Sequence, residues 1–173
     1  KYNELGYRDA VIVVDSITPY DDRTVDVYMR IEEGDKYYVR DITWVGNTIY
    51  LSDYLSAKLR MKKGDVYNQK LLNERLSSDD DAIGNEYYNQ GYVFYQLDPV
   101  EVNIDGDSID LEMRIMEGPQ ATLNRVTING NDRLYENVVR RELRTKPGDL
   151  FNKDAIERSY REIAQMGHFN PEN

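Results

Sequence analysis

VRDITWVGNTIYLSDYLSAKLRMKKGDVYN, residues 39–68, is answered without a gap by LNRVTINGNDRLYENVVRRELRTKPGDLFN, residues 123–152. Gly46-Asn47 falls on Gly130-Asn131, Leu59-Arg60 on Leu143-Arg144, Gly64-Asp65 on Gly148-Asp149 and Asn68 on Asn152, each 84 residues on. Apolar positions keep the same step: Ile42 and Trp44 with Val126 and Ile128, Leu55 with Val139, Val66 with Leu150. MRIEEG (29–34) and MRIMEG (113–118) share the spacing, and YNELGY (2–7) matches YYNQGY (87–92) one residue out of register. A fixed period of this length marks a repeat architecture with one supersecondary unit per period. The expected division is 1–34 as the end of one unit, 35–118 as a whole unit, and 119–173 as the start of another. The chain then reads as a window on a longer array, and its polar opening, KYNELGYRDA, is unlike a secretory leader.

The whole unit can be read element by element. In YYVRDITWVG, Ile42 and Trp44 alternate with Asp41 and Thr43, the period of a half-buried strand, and Gly46-Asn47 ends it as a turn. Leu51, Tyr54, Leu55 and Leu59 recur at helical spacing, and LRMKKGD closes that helix with basic residues and glycine. Asn68 is the expected N-cap of a second helix, with a break around SSDDD (77–81) and Gly91 as its C-cap. Two strands follow, Tyr92 to Ile104 and Ser108 to Met116, joined at Asp105-Gly106, a strong hairpin signal. Ile109, Leu111, Met113 and Ile115 share one face of the last strand, and Val100, Val102 and Ile104 are expected to share one face of its partner. The order is βααββ. Two helices and a strand each reverse the chain, so the first and last strands run parallel while the last two are antiparallel. The expected fold is α+β, with each unit a three-stranded mixed sheet carrying two helices on one face, the last strand central and the Tyr92–Ile104 strand a free edge. Met29, Ile31, Met113 and Ile115 should face the core.

Composition narrows the function. The chain is 40% apolar and 31% charged, the balance of a folded protein, and 32 acidic against 22 basic residues give a net charge of -10. That charge repels phosphate backbones and anionic lipid surfaces, so nucleic acid is not an expected partner. Absence of cysteine removes disulfide and thiolate chemistry. No sequence run approaches the length of an apolar membrane-spanning helix. Asp79, Asp80 and Asp81 lack the alternate ligands and turn glycine of a calcium loop and read as a solvated insertion. His168, the single histidine, follows Gly167 at an expected helix end and reads as a cap or a surface residue. Asp26 with Asp110, or Glu33 with Glu117, could suggest a carboxylate pair for glycoside hydrolysis, but each pair is one repeat position copied, a whole unit apart. With no phosphate loop, metal-ligand cluster or activated nucleophile in the pattern, the expectation is no enzyme, no cofactor and no metal.

The ordered set Gly46-Asn47, Gly64-Asp65 with Tyr67, Gly91-Tyr92 and Glu117-Gly118 resembles the POTRA domain of the Omp85 superfamily. The marks recur as Gly130-Asn131, Gly148-Asp149 with Phe151, Gly6-Tyr7 and Glu33-Gly34, and parts of three units favour the outer-membrane assembly type. The resemblance implies a scaffold at the periplasmic face of a Gram-negative outer membrane, anchored by a C-terminal barrel. It implies unfolded outer-membrane β-barrel proteins as clients and accessory lipoproteins as docking partners. A two-partner secretion or other Omp85 transporter, or a purely structural surface spacer or adhesin, stands as the alternative.

A free edge presents unpaired N–H and C=O groups that an extended client can pair with, whatever its side chains. The candidate edges are Val11, Ile12, Val13 and Val14 in the first unit and Tyr92, Val93, Phe94 and Tyr95 in the second. The first run also reads as a plain buried strand, and Tyr87, Tyr88, Tyr92 and Tyr95 as packing where the helix meets the strand. Gly34-Asp35 and Gly118-Pro119 are expected to articulate the units. Because 1–34 and 119–173 each hold what the other lacks, an exchange dimer of two chains is also expected.

Overall fold

The computed structural model describes residues 1–130 and 135–167. A 3-10 turn at Tyr2–Glu4 leads into a hairpin of β1 (Val11–Pro19) and β2 (Val25–Glu32). The whole unit follows as β3 (Tyr38–Val45), α1 (Ser52–Leu59), α2 (Gln69–Asn73), a π-helical turn (Glu74–Ser78), α3 (Ile83–Asn89), β4 (Gln96–Asp105) and β5 (Ser108–Met116). Two helices close the described chain, α4 (Glu136–Glu142) and α5 (Lys153–Gln165).

The three strands of the whole unit lie in the order β3-β5-β4, with β3 parallel and β4 antiparallel to the central β5. Ile109, Leu111, Met113 and Ile115 are buried along one face of β5. Against them pack Leu55 and Leu59 of α1, Leu72 and Leu76 of the second helical stretch, and Ile83 and Tyr87 of α3. Side chains of this size each contribute on the order of 1.5–3 kcal/mol when fully buried. The second helix is broken at the expected place. Asn68 caps α2 by accepting the Leu71 N–H at 2.9 Å, and α3 ends as Tyr92 N–H reaches Tyr87 O and Gly91 N–H reaches Tyr88 O, the paired bonds of a Schellman cap.

Three expectations change. Val100, Val102 and Ile104 do not share a face, because a bulge between Glu101 and Asn103 resets the alternation: Leu97, Pro99, Glu101 and Ile104 stand opposite the buried residues of β5. Tyr92–Tyr95 do not belong to the strand, which starts at Gln96. The Schellman cap and a Tyr95 N–H to Tyr92 O turn bend this segment, and the buried Tyr95 ring stacks on Tyr87 at 4.2 Å. Met29 and Ile31 occupy the register of the buried Met113 and Ile115 but are 56% and 38% exposed, since no helix covers the β1–β2 hairpin among the described residues.

The period survives in individual hydrogen bonds. Val39 N–H to Asp65 O (2.9 Å), Gly64 N–H to Val39 O (2.7 Å) and Tyr67 N–H to Tyr37 O (2.9 Å) recur at Leu123 and Asp149 (2.8 Å), Gly148 and Leu123 (2.7 Å), and Phe151 and Ala121 (2.9 Å). Asp65 and Asp149 each accept a backbone N–H three residues upstream, from Lys62 and Lys146, at 2.8 Å. Asn152 caps α5 as Asn68 caps α2. Residues 123–130 form no strand, because no counterpart of β5 lies beside them among the described residues. Asn131 and His168 lie outside the described residues.

Candidate functional site

The outer edge of β4 has no strand partner among the described residues. Its bulge lies midway along, and residues of α2 line the space beside it. The result is an open groove of about 370 Å³, lined by Tyr67, Gln69, Leu72, Pro99, Glu101 and Leu111 among others. Its walls mix apolar and polar side chains, with Gln69, Asn73, Asp98 and Glu101 as the polar points. The equivalent edge of the preceding unit is β1, where Val11, Ile12, Val13 and Val14 are 36–59% exposed and only the β2 side is paired.

Tyr92–Tyr95 sit before the β4 edge. Tyr95 is buried and Tyr92 packs partly buried against the core. Val93 is half-buried and Phe94 is exposed. With Tyr50, Tyr87 and Tyr88 these tyrosines form stacked and edge-on ring contacts, so most of the cluster packs the helix against the strand. The ring environment and the nearby Glu117 push the Tyr87 phenol up, burial being the largest cause.

Glu117 was expected as part of a repeat signature, its pairing with Glu33 for hydrolysis having been set aside. It accepts Thr48 N–H at 2.8 Å, Ile49 N–H at 2.9 Å, the Thr48 hydroxyl, and the Tyr87 hydroxyl at 3.1 Å. Burial opposes its charge more than any single bond favours it, yet those bonds together hold its carboxyl below the usual value. Gly46 precedes this loop with φ +87, and a Cβ there would stand 2.0 Å from Ile115 O, so only glycine lets the turn close on β5. Asn47 then donates to Tyr50 O at 2.9 Å, guiding the chain into α1.

The aspartate run is not simply solvated. Arg75, 1% exposed in the π-helical turn, donates to Lys58 O (2.8 Å), Asp79 (2.9 Å) and Asp81 (2.5 Å), and Arg60 also reaches Asp81 at 2.7 Å. The Arg75 hydrogen bond is the main reason the Asp81 carboxyl is held below its usual range. No group of three or more metal-ligating side chains that could hold an ion occurs among the described residues.

Both expected junctions share one device. Gly6 O accepts Tyr37 N–H at 2.9 Å, and Gly91 O accepts Ala121 N–H at 2.8 Å. Gly34 and Gly118, at φ +70 and +66, lie against Asp9 and Phe94; Asp35 and Pro119 follow them in the exposed connections. The first junction adds charge: Arg8 pairs with Glu101 at 2.7 Å and Asp9 at 2.8 Å, and Tyr37 donates to Asp9 at 2.6 Å. The second uses Asn152 to Asn89 O and Asp154 N–H to the Asn89 side chain, both 2.9 Å, with Lys153 to Asn85 at 2.8 Å. Sequence reasoning missed Arg8 and Glu101, which pair from far apart in the chain, and Arg75, whose partners Asp79 and Asp81 are only four and six residues on but were read as solvated. No helix among the described residues is long and apolar enough to cross a membrane.

The chain is 25% identical over 166 residues to the outer membrane protein assembly factor BamA of Nitratidesulfovibrio vulgaris, covering 95% of this chain and 21% of that one. It is 25% identical over 171 residues to BamA of Neisseria meningitidis, covering 98% and 21%. It thus spans about a fifth of the length of these relatives. The crystal structure of Haemophilus influenzae BamA POTRA3-5 superposes with a TM-score of 0.77 at 22% identity, over 98% of this chain and 66% of that one, which shows a shared fold. The family model POTRA, surface antigen variable number repeat, matches residues 37–118 and again 121–172, and the chain belongs to the POTRA family.

Proposed function

We propose that this chain is a periplasmic scaffold segment of an outer-membrane protein assembly factor, on which unfolded β-barrel clients dock by adding a strand to a POTRA sheet. The units are 1–34, 35–118 and 119–173, articulated at Gly34-Asp35 and Gly118-Pro119. Accessory lipoproteins dock on the same array, and a barrel elsewhere in the longer protein anchors it. The role is binding, not catalysis.

The observation that carries this reading is the outer edge of β4, unpaired among the described residues, beside an open groove. Added to that edge, a client strand satisfies its own N–H and C=O groups through main-chain bonds, which suits clients of many sequences. Side chains on its inward face meet the half-buried Pro99 and Val100, giving apolar contact with little selectivity. The exposed Val11–Val14 edge offers the same pairing in the preceding unit.

The test is an NMR titration of the full chain with a peptide taken from one strand of an outer-membrane barrel protein. Amide shifts in Gln96–Asp105 and Val11–Pro19, with little change in α4, are the expected result. The same peptide with alternate residues replaced by proline should fail, because it lacks the N–H groups the edge needs. Equal binding of both peptides, or no response to the parent at millimolar concentration, overturns strand addition.

A further inference from the structure

Two of the four polar side chains that line the β4 groove, Glu101 and Gln69, have partners in the preceding unit. Glu101, on the strand wall, is paired with Arg8 at 2.7 Å and accepts the Tyr67 hydroxyl at 3.1 Å. Gln69, on the helix wall, accepts the Asn3 amide at 3.0 Å. Asn3 and Arg8 belong to one short stretch before β1, and Gly6 between them accepts the Tyr37 N–H. A single segment of the preceding unit therefore ties both walls of the groove to the junction. The Arg8 guanidinium is also fixed from below, 5.8 Å over the Tyr37 ring. With the tie made, the groove stands open at about 370 Å³, within the size range of preformed binding sites.

We propose that the strand-binding site of the whole unit is completed by the preceding unit, and that client occupancy and the angle between the two units are linked through Arg8–Glu101 and Asn3–Gln69. The tie holds the β4 wall and the α2 wall at their binding separation, so a client does not have to order them itself. Linkage is reciprocal: if the ordered junction favours the client, the bound client must favour the ordered junction by the same factor. Binding at one edge then stiffens the array. The inference rests on the strand-addition reading. It adds a regulation absent from a single isolated unit.

The experiment uses the full chain and the same barrel-strand peptide. With no native cysteine, Thr24→Cys and Asp53→Cys carry two spin labels, one per unit, both at exposed positions. In the parent, peptide should narrow the distance distribution between the labels. Arg8→Ala should broaden it and weaken peptide binding by roughly two- to fivefold, the scale of a partly exposed ion pair. Unchanged amide shifts in β5 confirm that the variant folds, and Glu101→Gln, which removes the charge but keeps an acceptor for Tyr67, should act in the same direction. Equal peptide affinity in parent and both variants, with an unmoved distance distribution, overturns the linkage and leaves strand addition standing. No β4 response in the parent overturns both.

Discussion

Glu117 acts on its loop as a cap acts on a helix, gathering two backbone N–H groups and two hydroxyls on one carboxylate. Glu117→Ala strands those donors at the rim of the core and should cost about 1–3 kcal/mol, measured by urea unfolding. Glu117→Gln isolates the charge. Since the folded carboxyl is held below its usual value, its contribution is complete above the unfolded pKa and is lost as pH falls through the folded one. The stability gap between parent and Glu117→Gln should be widest near neutrality and close in acid. Arg75 is the second residue on which much depends: Arg75→Met removes the guanidinium that joins Lys58 O to Asp79 and Asp81. Because both aspartates keep access to water at 39% and 46% exposure, the loss should be about 2 kcal/mol, below that of breaking a fully buried pair.

Among elements, the turns and the central strand govern the unit. Gly46 and Gly64 both adopt positive φ, so either change to alanine carries backbone strain. Only Gly46→Ala also drives a Cβ into Ile115 O, whereas nothing lies within 4 Å of a Cβ at Gly64. Thermal unfolding should therefore fall further for Gly46→Ala, by about 4–8 °C for each additional kcal/mol in a domain of this size. These elements were legible in the sequence because their signals are local: the Asn68 cap, the Asp105-Gly106 hairpin and the alternation of Ile109 to Ile115 each lie within a few residues. The β4 bulge was not. It appears only when Glu101 and Asn103 are set against Leu111 and Asp110 of another strand, and the alternation rule carried straight through it misplaced Val100 and Val102. Tyr92–Tyr95 have the composition of a strand, yet the helix cap and the stack on Tyr87 claim them first. The edge was found, four residues early, and the groove beneath it was not, because its walls come from residues 67–73 and 98–101.

At the scale of the whole molecule the joints repeat as faithfully as the units. Hydrogen exchange should find the Tyr37 and Ala121 amides similarly protected, since each donates to a glycine carbonyl at 2.8–2.9 Å. A Cβ on Gly6 would lie 2.5 Å from Val66 Cγ1, so Gly6→Ala should release Tyr37 and leave Ala121 slow. Comparable loss at both amides would mean that the joints are not independent. Each joint shares one main-chain bond, from the amide of Tyr37 or Ala121 to a glycine carbonyl. That bond needs no matched pair of side chains when a unit is gained or lost, whereas the contacts beside it, Arg8–Glu101 at one joint and Lys153–Asn85 at the other, differ. A duplication that copies one period whole brings its own connector, and a deletion of one period leaves the flanking carbonyl and amide to find each other. The length of such an array can therefore change while the main-chain bond at each junction is kept.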